Sequence, residues 1–179
     1  MNIPNWVTVS RLFALPMLFL WLPTPEAETR WWGVGIFLLA ASTDWLDGYL
    51  ARRLNQVTEL GKFLDPLVDK LLVLAPLLIL LTWQMVPPWA VGLILARELV
   101  IAGWRVNPQL ASQTEIAGAN LWGKVKTVTQ ITAIALLLAP LPAIYGQIGM
   151  VIFWMAVILT LISGAIYLLP QGDKTVGAS

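Results

Sequence analysis

The sequence predicts an all-α integral membrane protein of six transmembrane helices. Three observations carry this expectation. The 179-residue chain is 58% hydrophobic and 12% charged, with mean hydropathy +0.76, whereas soluble domains are about 45–50% apolar and about 25% charged. Six apolar runs are long enough, or nearly so, to cross a bilayer, which takes about 20 residues of helix. Laid out alternately across a membrane, those runs gather the basic residues on one side.

The first run, 6–22, is followed by no small-residue cleavage site, and "LPTPEAET" leads straight into the next span, so it reads as a retained helix rather than a signal peptide. The second, 31–51, and the third, 64–84, are apolar over part of their length and carry the polar ends "DGYLARR" and "GKFLDPLVDK". The proline joint "QMVPPW" separates the third from the fourth, 87–106. The fifth, 122–140, begins in "LWGKVKT", and "APLPAIYG" divides it from the sixth, 144–169. Residues 1–170 then form one domain and 171–179 a short tail.

Arg11, Arg52, Arg53, Lys62, Lys70, Arg105, Lys124, Lys126 and Lys174 fall on the side of the termini, and Arg30 alone falls opposite, beside Glu26 and Glu28. Both termini are therefore expected in the cytoplasm. Trp31, Trp32, Trp83 and Trp89 then form an outer aromatic belt, with Trp6, Trp104 and Trp122 on the inner side.

Composition also excludes. A net charge of +1 offers no basic field for nucleic acid. No cysteine means no disulfide, thiolate nucleophile or zinc-thiolate site. No histidine removes the commonest general base and every phosphohistidine mechanism, so acid–base work falls to carboxylates, Lys or Tyr.

Residues 44–70 hold four aspartates: Asp44 and Asp47 at the inner end of the second span, Asp65 and Asp69 at the inner start of the third. Spacings of three and four put each pair on one helix face, and the hairpin brings the two faces to one depth. Four such carboxylates need neutralising, by protonation, by the neighbouring Arg52, Arg53, Lys62 and Lys70, or by a divalent metal. All-oxygen ligation suits magnesium, manganese or calcium. Ionisable groups at membrane depth read as functional. Gly48 and Gly61 adjoin these carboxylates, where a missing side chain admits either a ligand or a packed helix.

The pattern Asp44-x2-Asp47-Gly48-x2-Ala51-Arg52-x8-Gly61-x3-Asp65-x3-Asp69 resembles the signature of the CDP-alcohol phosphotransferase family, at eight defined residues across 26 positions. The resemblance implies a six-helix membrane bundle covering nearly the whole chain, usually a homodimer, that transfers a phosphoalcohol group from a CDP-linked donor and releases CMP. It implies two divalent metal ions (Mg2+ or Mn2+), one held by Asp44, Asp47 and Asp65, the other by Asp44, Asp65 and Asp69, with Asp69 also the catalytic base. It places Gly48, Arg52 and Thr58 at the cytidine diphosphate, with Gly61 beside them. "NWVT" resembles the family's Asn-x-x-Thr element, which adds Asn5 and Thr8 to the donor site; a helix cap is the plainer reading of those two.

Arg97 lies mid-span beside Glu98, Arg105 follows at the inner end of the same span, and Lys124 and Lys126 stand where the fifth span enters the membrane. One reading is an internal Arg97–Glu98 pair and positive-inside anchoring; the other is a basic pocket for a phosphate on the acceptor. The segments "ARE…R" and "GKVKT" resemble the branch of the family that makes phosphatidylglycerophosphate, which implies CDP-diacylglycerol and sn-glycerol 3-phosphate as substrates, at the cytoplasmic face of the inner membrane. A phosphatidylinositol-phosphate synthase is the nearest alternative. A prenyltransferase would call for a second, separated aspartate motif and more spans. A divalent-cation transporter would place carboxylates along a path through the membrane rather than at one face. Residues 106–119, "VNPQLASQTEIAGA", match nothing assignable.

Overall fold

In a computed structural model the backbone is described for residues 3–22, 24–54, 59–106 and 117–168, and side chains for 10–22, 24–43, 67–103 and 122–166. These residues form six α-helices and no strand: α1 (Ile3–Trp21), α2 (Ala27–Leu54), α3 (Glu59–Thr82), α4 (Pro88–Val106), α5 (Ala117–Leu138) and α6 (Ala143–Leu168). Each expected span has its helix. The 28 residues of α2 extend roughly 42 Å at about 1.5 Å per residue, longer than the roughly 30 Å hydrocarbon core of a bilayer.

The helix ends follow local chemistry. At the start of α2 the Glu26 carbonyl accepts from the Arg30 amide at 3.0 Å and from the Thr29 hydroxyl at 2.9 Å, with Glu28 in the first turn, where a carboxylate complements the helix dipole. The α3 terminus closes with Met85 N–H donating to the Leu80 carbonyl (3.0 Å) and Gln84 N–H to the Leu81 carbonyl (2.9 Å). This paired closure needs a left-handed residue at its second-last position, and Gln84 supplies it at φ 56°. Pro88 then opens α4, where its missing N–H costs nothing. Pro140 and Pro142 separate α5 from α6.

Helix α3 is the hub: α1, α2, α4 and α5 all pack on it. Helices α5 and α6 form a tight antiparallel hairpin, α1 also lies along α2, and α4 packs on α6. The interior is aliphatic and aromatic, with Leu18, Phe37, Leu80, Ile134, Leu138 and Phe153 fully buried. A Cβ on Gly33 would stand 2.5 Å from the Leu22 side chain, so only glycine lets α2 close over the end of α1.

The outside is apolar too. Phe13 is 64% exposed, Leu20 74% and Val128 65%, on outer faces of α1 and α5 that water would make unfavourable at about 25 cal/mol per Å2. Among the described residues, Ala143–Ile166 is the one helical stretch whose length and mean hydropathy of 2.3 suffice alone for a bilayer span. Charged residues interrupt α2, α3, α4 and α5.

Candidate active site and its buried cations

Asp44 and Asp47 occupy one turn of α2, and Asp65 and Asp69 one turn of α3, on two helices that pack together. The side chains of Asp44, Asp47, Gly48, Arg52, Gly61 and Asp65, and of Asn5 and Thr8 on α1, lie outside the described residues, as does Thr58 altogether.

Asp69 is described, and its carboxylate meets a cation from a third helix. Arg11 of α1 sends Nη1 to Asp69 Oδ1 at 2.6 Å, with the arginine side chain 1% exposed and the aspartate 41%. The geometry is a buried guanidinium holding Oδ1 of a partly exposed carboxylate. Sequence reading placed Arg11 among the membrane-anchoring cations. The available signal was its position inside an apolar helix, where an arginine needs a partner.

Arg97 and Lys126 come together around one carboxylate. Glu98 Oε1 accepts from Arg97 Nη1 at 2.9 Å and is also bound by Lys126 Nζ. Arg97 Nη2 donates to the Ser163 hydroxyl of α6 at 3.0 Å, and that hydroxyl donates onward to the Thr160 carbonyl at 3.1 Å. Among the described residues α4 and α5 do not pack on each other; the Lys126–Glu98 ion pair crosses between them. Lys126 also lies within electrostatic reach of Lys70, the residue after Asp69. Two cations and one carboxylate leave a net charge of +1, and Arg97 Nε is buried without a hydrogen-bond partner among the described residues.

Lys124 is exposed while Lys126 is buried, as two residues of helix rotation require. The Arg105 side chain lies outside the described residues, as do residues 107–116 and 169–179. Ser163 escaped sequence reading, because a lone serine in an apolar helix reads as a packing residue.

Among the described residues no three carboxylates gather at one point. The donor set nonetheless suits hard divalent cations, being four carboxylates on two packed helices.

Arg30 makes a different kind of site. Its Nε donates to the Leu138 carbonyl (2.7 Å) and its Nη2 to those of Leu137 (3.1 Å) and Ala139 (3.0 Å), the unsatisfied end of α5. The guanidinium also lies 5.3 Å over the Trp83 ring. Of the expected outer belt, Trp31, Trp32 and Trp89 are exposed. Trp32 meets Trp21 edge-on at 5.8 Å, and Trp89 meets Trp154 at 5.2 Å.

A family model described as CDP-alcohol phosphatidyltransferase matches residues 1–162. The chain is similar to three bacterial proteins named CDP-diacylglycerol–glycerol-3-phosphate 3-phosphatidyltransferase. The one from Bacillus subtilis is 38% identical over 178 residues, covering 91% of each chain. The one from Rickettsia bellii is 37% identical over 170 residues, covering 93% of each. The one from Pseudomonas fluorescens is 39% identical over 149 residues, 80% of this chain and 75% of that one.

Proposed function

The chain belongs to the CDP-alcohol phosphatidyltransferase family, and from that premise we propose that it transfers the phosphatidyl group of CDP-diacylglycerol to sn-glycerol 3-phosphate, yielding phosphatidylglycerophosphate and CMP. It is thus a transferase of anionic phospholipid synthesis. The observation that carries the acceptor is the buried Arg97–Glu98–Lys126 cluster between α4 and α5. A net positive cluster with spare N–H donors suits a phosphate dianion, and plain glycerol would leave it unmatched.

The acceptor hydroxyl oxygen attacks the phosphorus next to diacylglycerol, the bond from that phosphorus to the CMP oxygen breaks, and the hydroxyl proton passes to a carboxylate. Asp69 is the proposed base, with Arg11 held at its Oδ1. Asp44, Asp47, Asp65 and Asp69 would hold two divalent cations, Mg2+ or Mn2+, which when bound would neutralise the charge of the diphosphate. Gly48, Arg52, Thr58 and Gly61, with Asn5 and Thr8, are the proposed donor contacts, and Arg105 and Lys124 complete the proposed acceptor set. The sequence has no histidine or cysteine for an intermediate on either, and the proposed transfer is a single displacement with inversion at phosphorus.

All six helices are read as membrane spans of the bacterial inner membrane, with both termini and the site toward the cytoplasm. The apolar outer faces of α1 and α6 support lipid contact. Assembly as a homodimer follows from the family resemblance alone. The test is CMP release by purified protein from CDP-diacylglycerol with a panel of acceptors. Release should require glycerol 3-phosphate and a divalent cation. Equal release with inositol phosphate, or none with glycerol 3-phosphate, overturns the acceptor assignment.

A further inference from the structure

The sixth helix lies far along the chain from the aspartate signature, yet it touches the cation cluster at two consecutive residues. Ser163 is 1% exposed and accepts Arg97 Nη2 at 3.0 Å. Its own proton is committed to the Thr160 carbonyl at 3.1 Å, so the oxygen lone pairs are turned toward the guanidinium and the hydroxyl has no second choice. At the next position, a Cβ on Gly164 would stand 3.1 Å from Arg97 Cγ and 3.9 Å from Nε. A side chain there would press the stem of Arg97 aside by a few tenths of an ångström. The remaining contact of the guanidinium is Glu98, which Lys126 shares.

We propose that the Ser163–Gly164 step of α6 is the positioning element for acceptor recognition: Gly164 leaves the room in which the Arg97 stem lies, and Ser163 fixes the rotation of its guanidinium. This rests on the reading of Arg97 and Lys126 as the acceptor-phosphate cluster. The physical reason is division of labour. Glu98 holds Arg97 by charge, and an arriving phosphate competes for that charge. A neutral hydroxyl on a packed helix does not compete with an anion and keeps the guanidinium oriented while the carboxylate contact is exchanged. The backbone of α6 is thereby part of the acceptor site although it bears no charged residue there.

The experiment measures KM for glycerol 3-phosphate and for CDP-diacylglycerol, by CMP release from the purified full-length protein, in Ser163→Ala, Gly164→Ala, Arg97→Ala and the Gly164→Ala/Arg97→Ala double variant. Ser163→Ala removes one atom and Gly164→Ala favours helix, so both fold. Each single variant should raise the acceptor KM about tenfold, the loss of one hydrogen bond to a charged group, and leave the donor KM within about twofold. In the Arg97→Ala background Gly164→Ala should add nothing, because the stem it would displace is gone. A further rise in that background, or parallel rises in both KM values, means that α6 acts on general packing and overturns the proposal. If Arg97→Ala raises the acceptor KM while Ser163→Ala and Gly164→Ala do not, the positioning role falls and the acceptor cluster stands. If Arg97→Ala leaves the acceptor KM unchanged, the cluster reading falls and takes the positioning role with it.

Discussion

Two arginines in this protein do opposite things with the same side chain. Arg30, where α2 meets the end of α5, donates to three consecutive backbone carbonyls and lies on a tryptophan face. Arg97, in the middle of α4, is held by a carboxylate, shared with a lysine, and by one hydroxyl, with Nε left over. Backbone carbonyls at a helix end have nowhere else to turn, so the Arg30 contacts are permanent architecture. A carboxylate can surrender its cations to a better anion, so the Arg97 contacts are exchangeable. The partner, and not the burial of the arginine, separates a structural cation from a binding one.

Asp69 tests the functional end of this contrast most severely. Asp69→Asn removes the proposed base while keeping shape, and turnover should fall about 10²- to 10⁴-fold, or further if a metal ligand is lost with it. Donor binding, read by equilibrium titration with CDP-diacylglycerol, should change little. Near-wild-type CMP release by this variant would take Asp69 out of the chemistry.

Arg97→Ala and Lys126→Ala come next. Each should lower kcat/KM for glycerol 3-phosphate by about 1.5–3 kcal/mol, the range for hydrogen bonds to a charged group, with the donor KM nearly unchanged. A rise in the donor KM alone would move both residues from acceptor to nucleotide and erase the distinction drawn from their partners.

Arg30→Ala should break stability and spare function. It strips the Leu137 and Leu138 carbonyls of the arginine donor and leaves the Ala139 carbonyl with the Leu141 N–H alone, a loss of about 2 kcal/mol after water partly replaces them, visible as a lower thermal midpoint in detergent. Both KM values should stay at wild type. A changed acceptor KM would show that the two ends of the bundle are coupled.

The smallest effect belongs to the turn below Trp83. Gln84 holds a left-handed conformation at φ 56° that costs a non-glycine residue about 1–2 kcal/mol. Gln84→Gly should stabilise the protein by about 0.5 kcal/mol once the greater freedom of glycine in the unfolded chain is counted. A lower thermal midpoint would mean that the Gln84 side chain contributes more than its backbone costs.

The sequence alone determined the helix inventory, the proline joints and the family. These depend on periodicity, composition and short-range spacing, which are local properties of a chain. The aspartate signature was legible for the same reason: 26 consecutive positions on one hairpin contain all of it. The Arg97–Glu98 contact was also legible, as neighbours in sequence. What only the tertiary structure decided is which cation faces which partner. Arg11 reaches Asp69 across 58 positions, Arg30 reaches α5 across more than a hundred, and Ser163 reaches Arg97 across 66. In an apolar bundle each buried charge must find a partner, but many pairings satisfy that demand equally, and helix packing alone selects among them.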